Sequence, residues 1–128
     1  KRVSIADILA MKPDVIIFDE PTAALDPLNT MLLEEVLEKL SKEGKTMLIS
    51  VHDVDFAYRW ADRILVFNGG KIIADGTPLE IFCDRDILKQ ANLKQPMMLE
   101  VYEALVEKHL LKSNKQYPKT PEELRNIL

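Results

Sequence analysis

The sequence has one cysteine, Cys83, among its 128 residues. A single cysteine excludes an internal disulfide and is consistent with a reducing compartment. We expect Cys83 to be a small buried hydrophobic residue rather than a reactive thiol, because free cysteines are among the most buried residue types.

Long apolar runs and an excess of positive charge are also absent. No apolar run approaches the roughly 18 residues that a membrane-spanning helix needs, and no secretory signal opens the sequence. We therefore expect any membrane connection to come through a partner protein. The chain has 17 basic and 21 acidic side chains and a net charge of −4. This balance argues against nucleic acid as a partner, because phosphate binding relies on concentrated lysine and arginine.

What is present is the composition of a folded protein, with 47% hydrophobic and 30% charged residues. This balance is typical of globular rather than disordered chains. The length of 128 residues is enough for one domain with an ordinary core.

The most informative stretch is an apolar run that ends in two carboxylates, Asp19 and Glu20. Residues 15–18 lie between Pro13 and Pro21, and this short apolar run predicts a strand that is buried on both faces. Ligands of parallel α/β sheets bind just outside the carboxyl ends of the strands. Acids at such a position are paired, bound to metal or functional, or else they form a solvated acidic turn.

The next segment predicts a helix followed by a second strand. Asp26 supplies an N-cap acceptor and Pro27 a favourable first helical position, so a helix is expected over 28–42. Residues 46–51 form the second apolar run, which predicts a second buried strand. Strand, helix and strand at this spacing predict a right-handed parallel crossover.

The second strand ends at His52. Parallel strands end at the same edge of a sheet, so we expect His52 to lie at the same edge as Asp19 and Glu20. A histidine at a strand end is often structural, but its position beside two carboxylates favours a functional role.

The rest of the chain predicts a hairpin and a helical tail. Residues 63–68 and 71–75 flank Gly69 and Gly70, which is a hairpin signal. Thr120 and Pro121, with an acidic residue at the third helical position, predict a capped start for the last helix. Other helices are expected at 1–11, 53–61, 79–82, 86–91 and 97–110.

These motifs, in this order, resemble the ATP-binding subunits of ABC transporters. Residues 15–26 are similar to the Walker B motif and D-loop of that family, and residues 50–53 resemble its H-loop. The segments 76–82 and 120–124 look like the tail of the ATPase subunits of cobalt and nickel importers, the energy-coupling-factor group.

The resemblance implies an α/β fold. It would be a partial P-loop NTPase-type parallel sheet with flanking helices, a C-terminal β-hairpin and a small helical tail. Residues 1–83 would be the C-terminal half of an ABC nucleotide-binding domain, and residues 84–128 a helical C-terminal extension.

The resemblance also implies roles for four residues in ATP hydrolysis. Asp19 would help to hold Mg²⁺ through water, and Glu20 would orient and deprotonate the attacking water. His52 would contact the γ-phosphate and hold the geometry of that water. Asp26 would act across a dimer interface. The implied cofactors are ATP and Mg²⁺.

The implied partners are a second nucleotide-binding subunit and integral membrane transporter subunits. The protein would lie on the cytoplasmic face of the cell membrane as a peripheral subunit. It would power uptake of a transition-metal ion, with cobalt favoured.

Part of the family pattern is not found in the sequence. No Gly-x-x-x-x-Gly-Lys-Ser/Thr phosphate loop occurs in it, nor does the signature loop. We therefore expect these 128 residues alone to be inactive and to bind ATP weakly or not at all. We also expect them to self-associate through exposed strand edges and apolar faces. One alternative is a free-standing, non-catalytic half-domain that acts as an interaction module. Another is a chromosome-maintenance ATPase, against which the hairpin and the lack of long heptads argue.

Overall fold

The structure is a computed structural model, which describes residue 7 and residues 9–113 and 116–128. The chain divides into two compact units, Lys1–His52 and Asp53–Leu128. Most of the helix predicted over 1–11 lies outside the described residues, although Asp7, Leu9 and Ala10 are helical. Within the described ranges, no helix has both the length and the apolar character needed to cross a bilayer.

The first unit is a strand–helix–strand arrangement. It contains β1 (Val15–Asp19), α1 (Pro27–Lys42) and β2 (Thr46–Ser50). The two strands are parallel and pair in register from Val15 opposite Thr46 to Asp19 opposite Ser50. The predicted parallel pairing is confirmed, and both strands end at the same edge.

Only one face of this strand pair is covered, with buried residues in β1 and half-buried residues in β2. Ile16 and Phe18 are buried, whereas Ile17 is 73% exposed and Leu48 is 53% exposed. Ile16 lines the same groove as apolar residues of α1, and the buried residues of that helix are Leu33, Leu37 and Leu40. The prediction of a strand buried on both faces was therefore wrong, because helix α1 supplies an apolar stripe to one face only.

The second unit combines a hairpin with short helices. Its elements are α2 (Val54–Trp60), β3 (Ile64–Asn68), β4 (Lys71–Gly76), α3 (Pro78–Phe82), α4 (Arg85–Ala91), α5 (Met97–Glu107) and α6 (Pro121–Ile127). Strands β3 and β4 are antiparallel, with Asn68 opposite Lys71. Gly69 and Gly70 form the connection with φ of +57° and +74°, the left-handed geometry that a tight two-residue turn requires. The predicted hairpin and helical tail are thus confirmed.

The core of the second unit joins the hairpin to these helices. It consists of Tyr58, Val66, Ile81, Phe82, Leu88 and Leu99. The hydroxyl of Tyr58 donates a hydrogen bond to the carbonyl oxygen of Pro118 at 3.1 Å. This bond satisfies a buried polar atom and connects α2 to the segment just before α6.

Two further expectations are corrected in this unit. Cys83 is exposed rather than buried, because it caps the end of α3 just after the buried residues Ile81 and Phe82. The residues around Cys83 still shield its thiol from water to some extent, and this partial burial raises the pKa of the thiol. Helix α5 ends at Glu107 rather than at residue 110, and His109 has a φ of +58°, which a continuing helix does not allow.

Candidate active site

The candidate site lies at the carboxyl edge of β1 and β2, entirely within the first unit. Nε2 of His52 is 2.7 Å from Oε1 of Glu20. The structure therefore brings together these two predicted residues, with Asp19 directly before Glu20. The side chains of His52 and Glu20 are 90% and 47% exposed, so water and a ligand can reach both of them.

The backbone of Glu20 has an uncommon conformation for a residue with a side chain. Its φ is +46°, in the left-handed region, which costs a non-glycine residue roughly 1–2 kcal/mol. Its N–H donates to the carbonyl oxygen of Ser50 at 2.9 Å and to Oγ of Ser50 at 3.0 Å. Backbone strain of this kind clusters at functional sites. The left-handed conformation ends strand β1 directly before Glu20, whose side chain contacts His52.

Asp19 is held by the neighbouring strand. Oγ of Ser50 donates to Oδ1 of Asp19 at 2.6 Å, a short, charge-assisted hydrogen bond. The parallel register places Ser50 directly opposite Asp19, so the two side chains emerge from the same face. In the sequence, Ser50 is the first residue of the segment that resembles the H-loop, but no role was predicted for it. Its contact with Asp19 depends on the register of the two strands, which the sequence does not specify.

Asp26 lies at the start of helix α1, at the other end of the loop that follows Glu20. Its carboxylate accepts hydrogen bonds from the backbone N–H of Asn29 at 2.8 Å and from Nδ2 of Asn29 at 3.0 Å. The predicted N-cap is therefore confirmed. The role predicted for Asp26 across a dimer interface involves a partner chain and stays a prediction.

The loop from Glu20 to Asp26 is a series of tight turns. The N–H of Ala23 bonds to the carbonyl oxygen of Glu20 at 3.1 Å, and the N–H of Leu25 bonds to that of Thr22 at 3.4 Å. Ala24 has a φ of +59°. These bonds give the loop a defined path between the carboxylate edge and the helix.

The chemistry of Asp19 fits magnesium. Within the described part of the chain, no three histidine, cysteine or acidic side chains form a group that could hold a metal ion. Mg²⁺ does not need such a cage, because it usually keeps several waters and takes one or two carboxylates together with phosphate oxygens. A single exposed carboxylate beside Glu20 is a donor of that type.

Comparison with curated proteins finds relatives over most or all of the chain, although no protein-family model matches. The energy-coupling factor transporter ATP-binding protein EcfA2 of Methanospirillum hungatei is 51% identical over 105 residues, which are 82% of this chain and 26% of that protein. A putative ABC transporter ATP-binding protein of Methanosarcina mazei is 42% identical over the whole chain and 28% of its own length. The EcfA protein of Methanocaldococcus jannaschii is 46% identical over 84% of this chain and 39% of its own length.

Solved structures show the same similarity in three dimensions. CbiO1 of Clostridium perfringens, described as part of the ABC transporter complex CbiONQ, has a TM-score of 0.59 and 36% identity, and the match covers 83% of this chain and 41% of CbiO1. A dimeric ATP-binding cassette bound to ADP and phosphate has a TM-score of 0.54 and 35% identity over 60% of this chain and 33% of its own. The chain thus spans less than half the length of these proteins.

Proposed function

This chain is homologous to part of the ATP-binding proteins of ABC transporters, and on that premise we propose that it contains the hydrolytic edge of an ATPase subunit that powers an ABC importer. The observation that supports this proposal is the 2.7 Å contact between Glu20 and His52, directly beside Asp19 at one edge of a parallel strand pair. The similarity to energy-coupling factor transporter proteins does not favour the alternative of a non-catalytic interaction module.

The geometry suits the hydrolysis of a phosphoanhydride by water. Phosphoryl transfer depends on positioning and on charge stabilisation more than on covalent chemistry. In the proposed mechanism, the half-exposed carboxylate of Glu20 orients a water molecule and accepts its proton. His52 contacts Glu20 through Nε2 at hydrogen-bond distance. In this proposal His52 also contacts the terminal phosphate of ATP and keeps the water in line.

Asp19 has a separate role in this proposal. Its exposed carboxylate would hold Mg²⁺ through bound water, and the ion would neutralise charge on the phosphate oxygens. The hydrogen bond from Ser50 occupies Oδ1 of Asp19 and fixes the direction of the carboxylate without neutralising its charge.

The proposal extends to the assembly. A second nucleotide-binding subunit would pair with this one, with Asp26 acting across the interface, and integral membrane subunits would dock the pair on the cytoplasmic face of the cell membrane. The similarity to a dimeric ATP-binding cassette and to transporter subunits supports these partners. Residues 1–83 would belong to the nucleotide-binding domain and residues 84–128 to a helical extension.

The proposed cargo is cobalt or another transition-metal ion. This proposal rests on the resemblance of residues 76–82 and 120–124 to the ATPase subunits of cobalt and nickel importers. CbiO1, to which the chain is similar, is described as part of an ABC transporter complex. The ion would be substrate of the membrane subunits rather than a cofactor bound to Asp19 or its neighbours.

The test measures phosphate release from Mg-ATP by the natural protein, purified in the form in which its native cells produce it. Changing Glu20 to Gln removes the base but keeps the size of the side chain, and we expect turnover to fall about 100-fold or more. Glu43→Gln is the matched control, because Glu43 is exposed at the far end of α1, and it should retain the wild-type rate. A Glu20→Gln variant that hydrolyses ATP at the wild-type rate would overturn the proposal. Uptake of radioactive cobalt by cells that carry each variant then tests the cargo.

A further inference from the structure

We propose that Ser50 is a positioning residue, whose hydroxyl holds Asp19 and Glu20 in a fixed relation to each other. This inference rests on the proposed function, because it assigns Ser50 a part in the hydrolysis performed at the same edge. Ser50 is not expected to touch the nucleotide. It acts through the two carboxylate residues that follow one another on the neighbouring strand.

The geometry uses both sides of the hydroxyl group. Oγ of Ser50 donates to Oδ1 of Asp19 at 2.6 Å and accepts from the N–H of Glu20 at 3.0 Å. A serine hydroxyl has one proton to donate and two lone pairs that accept. Oγ of Ser50 is therefore hydrogen-bonded to the side chain of Asp19 and to the backbone of Glu20.

The backbone of Ser50 adds to the same arrangement. Its carbonyl oxygen accepts from the N–H of Glu20 at 2.9 Å, so this N–H is shared between two acceptors of one residue. Glu20 has the left-handed φ of +46°, a conformation that persists only where the surroundings hold it. Ser50 supplies both of these bonds from the strand that leads to His52.

We expect Ser50 to affect the orientation of Asp19 and Glu20 rather than the affinity for ATP. Catalytic groups must be held close to the productive geometry, and a misplacement of 1 Å can cost about 100-fold in rate. Without the hydroxyl, Asp19 loses a bond that fixes its carboxylate, and the peptide of Glu20 keeps the carbonyl of Ser50 as its remaining partner there. We expect a smaller effect than removal of the base itself, about tenfold in kcat, with little change in KM for ATP.

The experiment uses the full-length protein with three substitutions. Ser50→Ala removes the hydroxyl, and Ser50→Thr keeps it on a β-branched residue that suits a strand. Ser41→Ala is the matched control, because Ser41 is an exposed serine of the same unit at the end of α1. The measurements are kcat and KM for ATP, the thermal midpoint, and hydrogen–deuterium exchange of residues 17–22 without nucleotide.

The inference predicts a pattern that a merely structural role would not produce. Ser50→Ala lowers kcat about tenfold, leaves KM within about twofold of wild type, and speeds exchange at the amide of Glu20. Ser50→Thr restores most of the rate, and Ser41→Ala behaves as wild type. The inference is overturned if Ser50→Ala has the wild-type kcat, or if Ser50→Thr is as slow as Ser50→Ala.

The outcomes separate this inference from the proposed function. If the wild-type protein shows no ATP hydrolysis, the proposed function fails. Hydrogen–deuterium exchange then tests the role of Ser50 independently of activity. Faster exchange at the amide of Glu20 in Ser50→Ala supports the inference that Ser50 fixes the backbone of Glu20, and unchanged exchange overturns it.

Discussion

Nε2 of His52 lies 2.7 Å from Oε1 of Glu20, and the two residues follow two different strands of one parallel pair. The distance is set by the strand register, since the last residue of β1 is paired with the last residue of β2. Both side chains are substantially exposed, so their contact contributes little to stability. We therefore expect substitutions at this pair to affect hydrolysis far more than folding.

The first prediction concerns the coupling of this pair. His52→Ala should lower phosphate release about 100-fold, and the double variant with Glu20→Gln should be nearly as active as the slower single variant, because residues that act as a unit are not additive. Single-turnover kinetics of the full-length wild type, the two single variants and the double variant give the rates for this comparison. Effects that multiply in the double variant would show that the two residues act independently.

The second prediction concerns the left-handed backbone at Glu20. Glycine adopts a positive φ without strain, whereas a β-branched residue does so at a high cost. Glu20→Gly should therefore be as stable as wild type or up to about 1 kcal/mol more stable, while Glu20→Val should be less stable by about 1 kcal/mol or more. Urea unfolding compares the two variants, both of which lack the carboxylate. Equal stability of the two would contradict the observed φ of +46°.

The third prediction separates two roles of Asp26. Asp26→Ala removes the N-cap of α1 and should destabilise the protein by about 1 kcal/mol. Asp26→Ser keeps a capping oxygen and should be close to wild type in stability. If Asp26 also acts across a dimer, the serine variant should still hydrolyse ATP more slowly. A stable serine variant with full activity would leave capping as the role of this residue.

The fourth prediction concerns Tyr58 in the core of the second unit. Burial raises the pKa of Tyr58 to about 12, so the folded state favours the neutral phenol. This stabilisation is fully present below the ordinary pKa of about 10 and is lost as the pH rises from there toward 12.

Tyr58→Phe provides the test of this linkage. It should lower stability by about 1–3 kcal/mol at neutral pH, because the carbonyl of Pro118 loses the donor it has at 3.1 Å. The difference between wild type and variant should shrink between pH 10 and 12. Denaturant unfolding at pH 7, 10 and 11 gives the comparison, and a difference that stays constant with pH would contradict the prediction.

The sequence predicted the arrangement of the carboxylate edge because apolar runs and strand–helix–strand order are local patterns. Asp19, Glu20 and His52 were placed at one edge from the direction of the strands alone, and the structure has them there. The cap at Asp26 and the turn at Gly69 and Gly70 were likewise predictable, since each depends on residues close in sequence.

What the sequence did not predict depends on contacts between distant segments. The bridge from Ser50 to Asp19 follows from a register that no local pattern specifies. The exposure of Ile17 and Leu48 was missed because an apolar run shows that a strand suits burial, not which layers cover it. The exposure of Cys83 was missed because the residue type alone suggested burial.

The in-register pairing of β1 with β2 has a consequence for errors in folding. A shift of one residue along a strand turns each of its side chains to the opposite face, which would move Ser50 away from Asp19 and disconnect the N–H of Glu20 from its two acceptors. If the proposed function is correct, a molecule with misaligned strands would also hydrolyse ATP more slowly than the native one. The hydrogen bonds from Ser50 to Asp19 and Glu20 thus form only when the two strands have their native register.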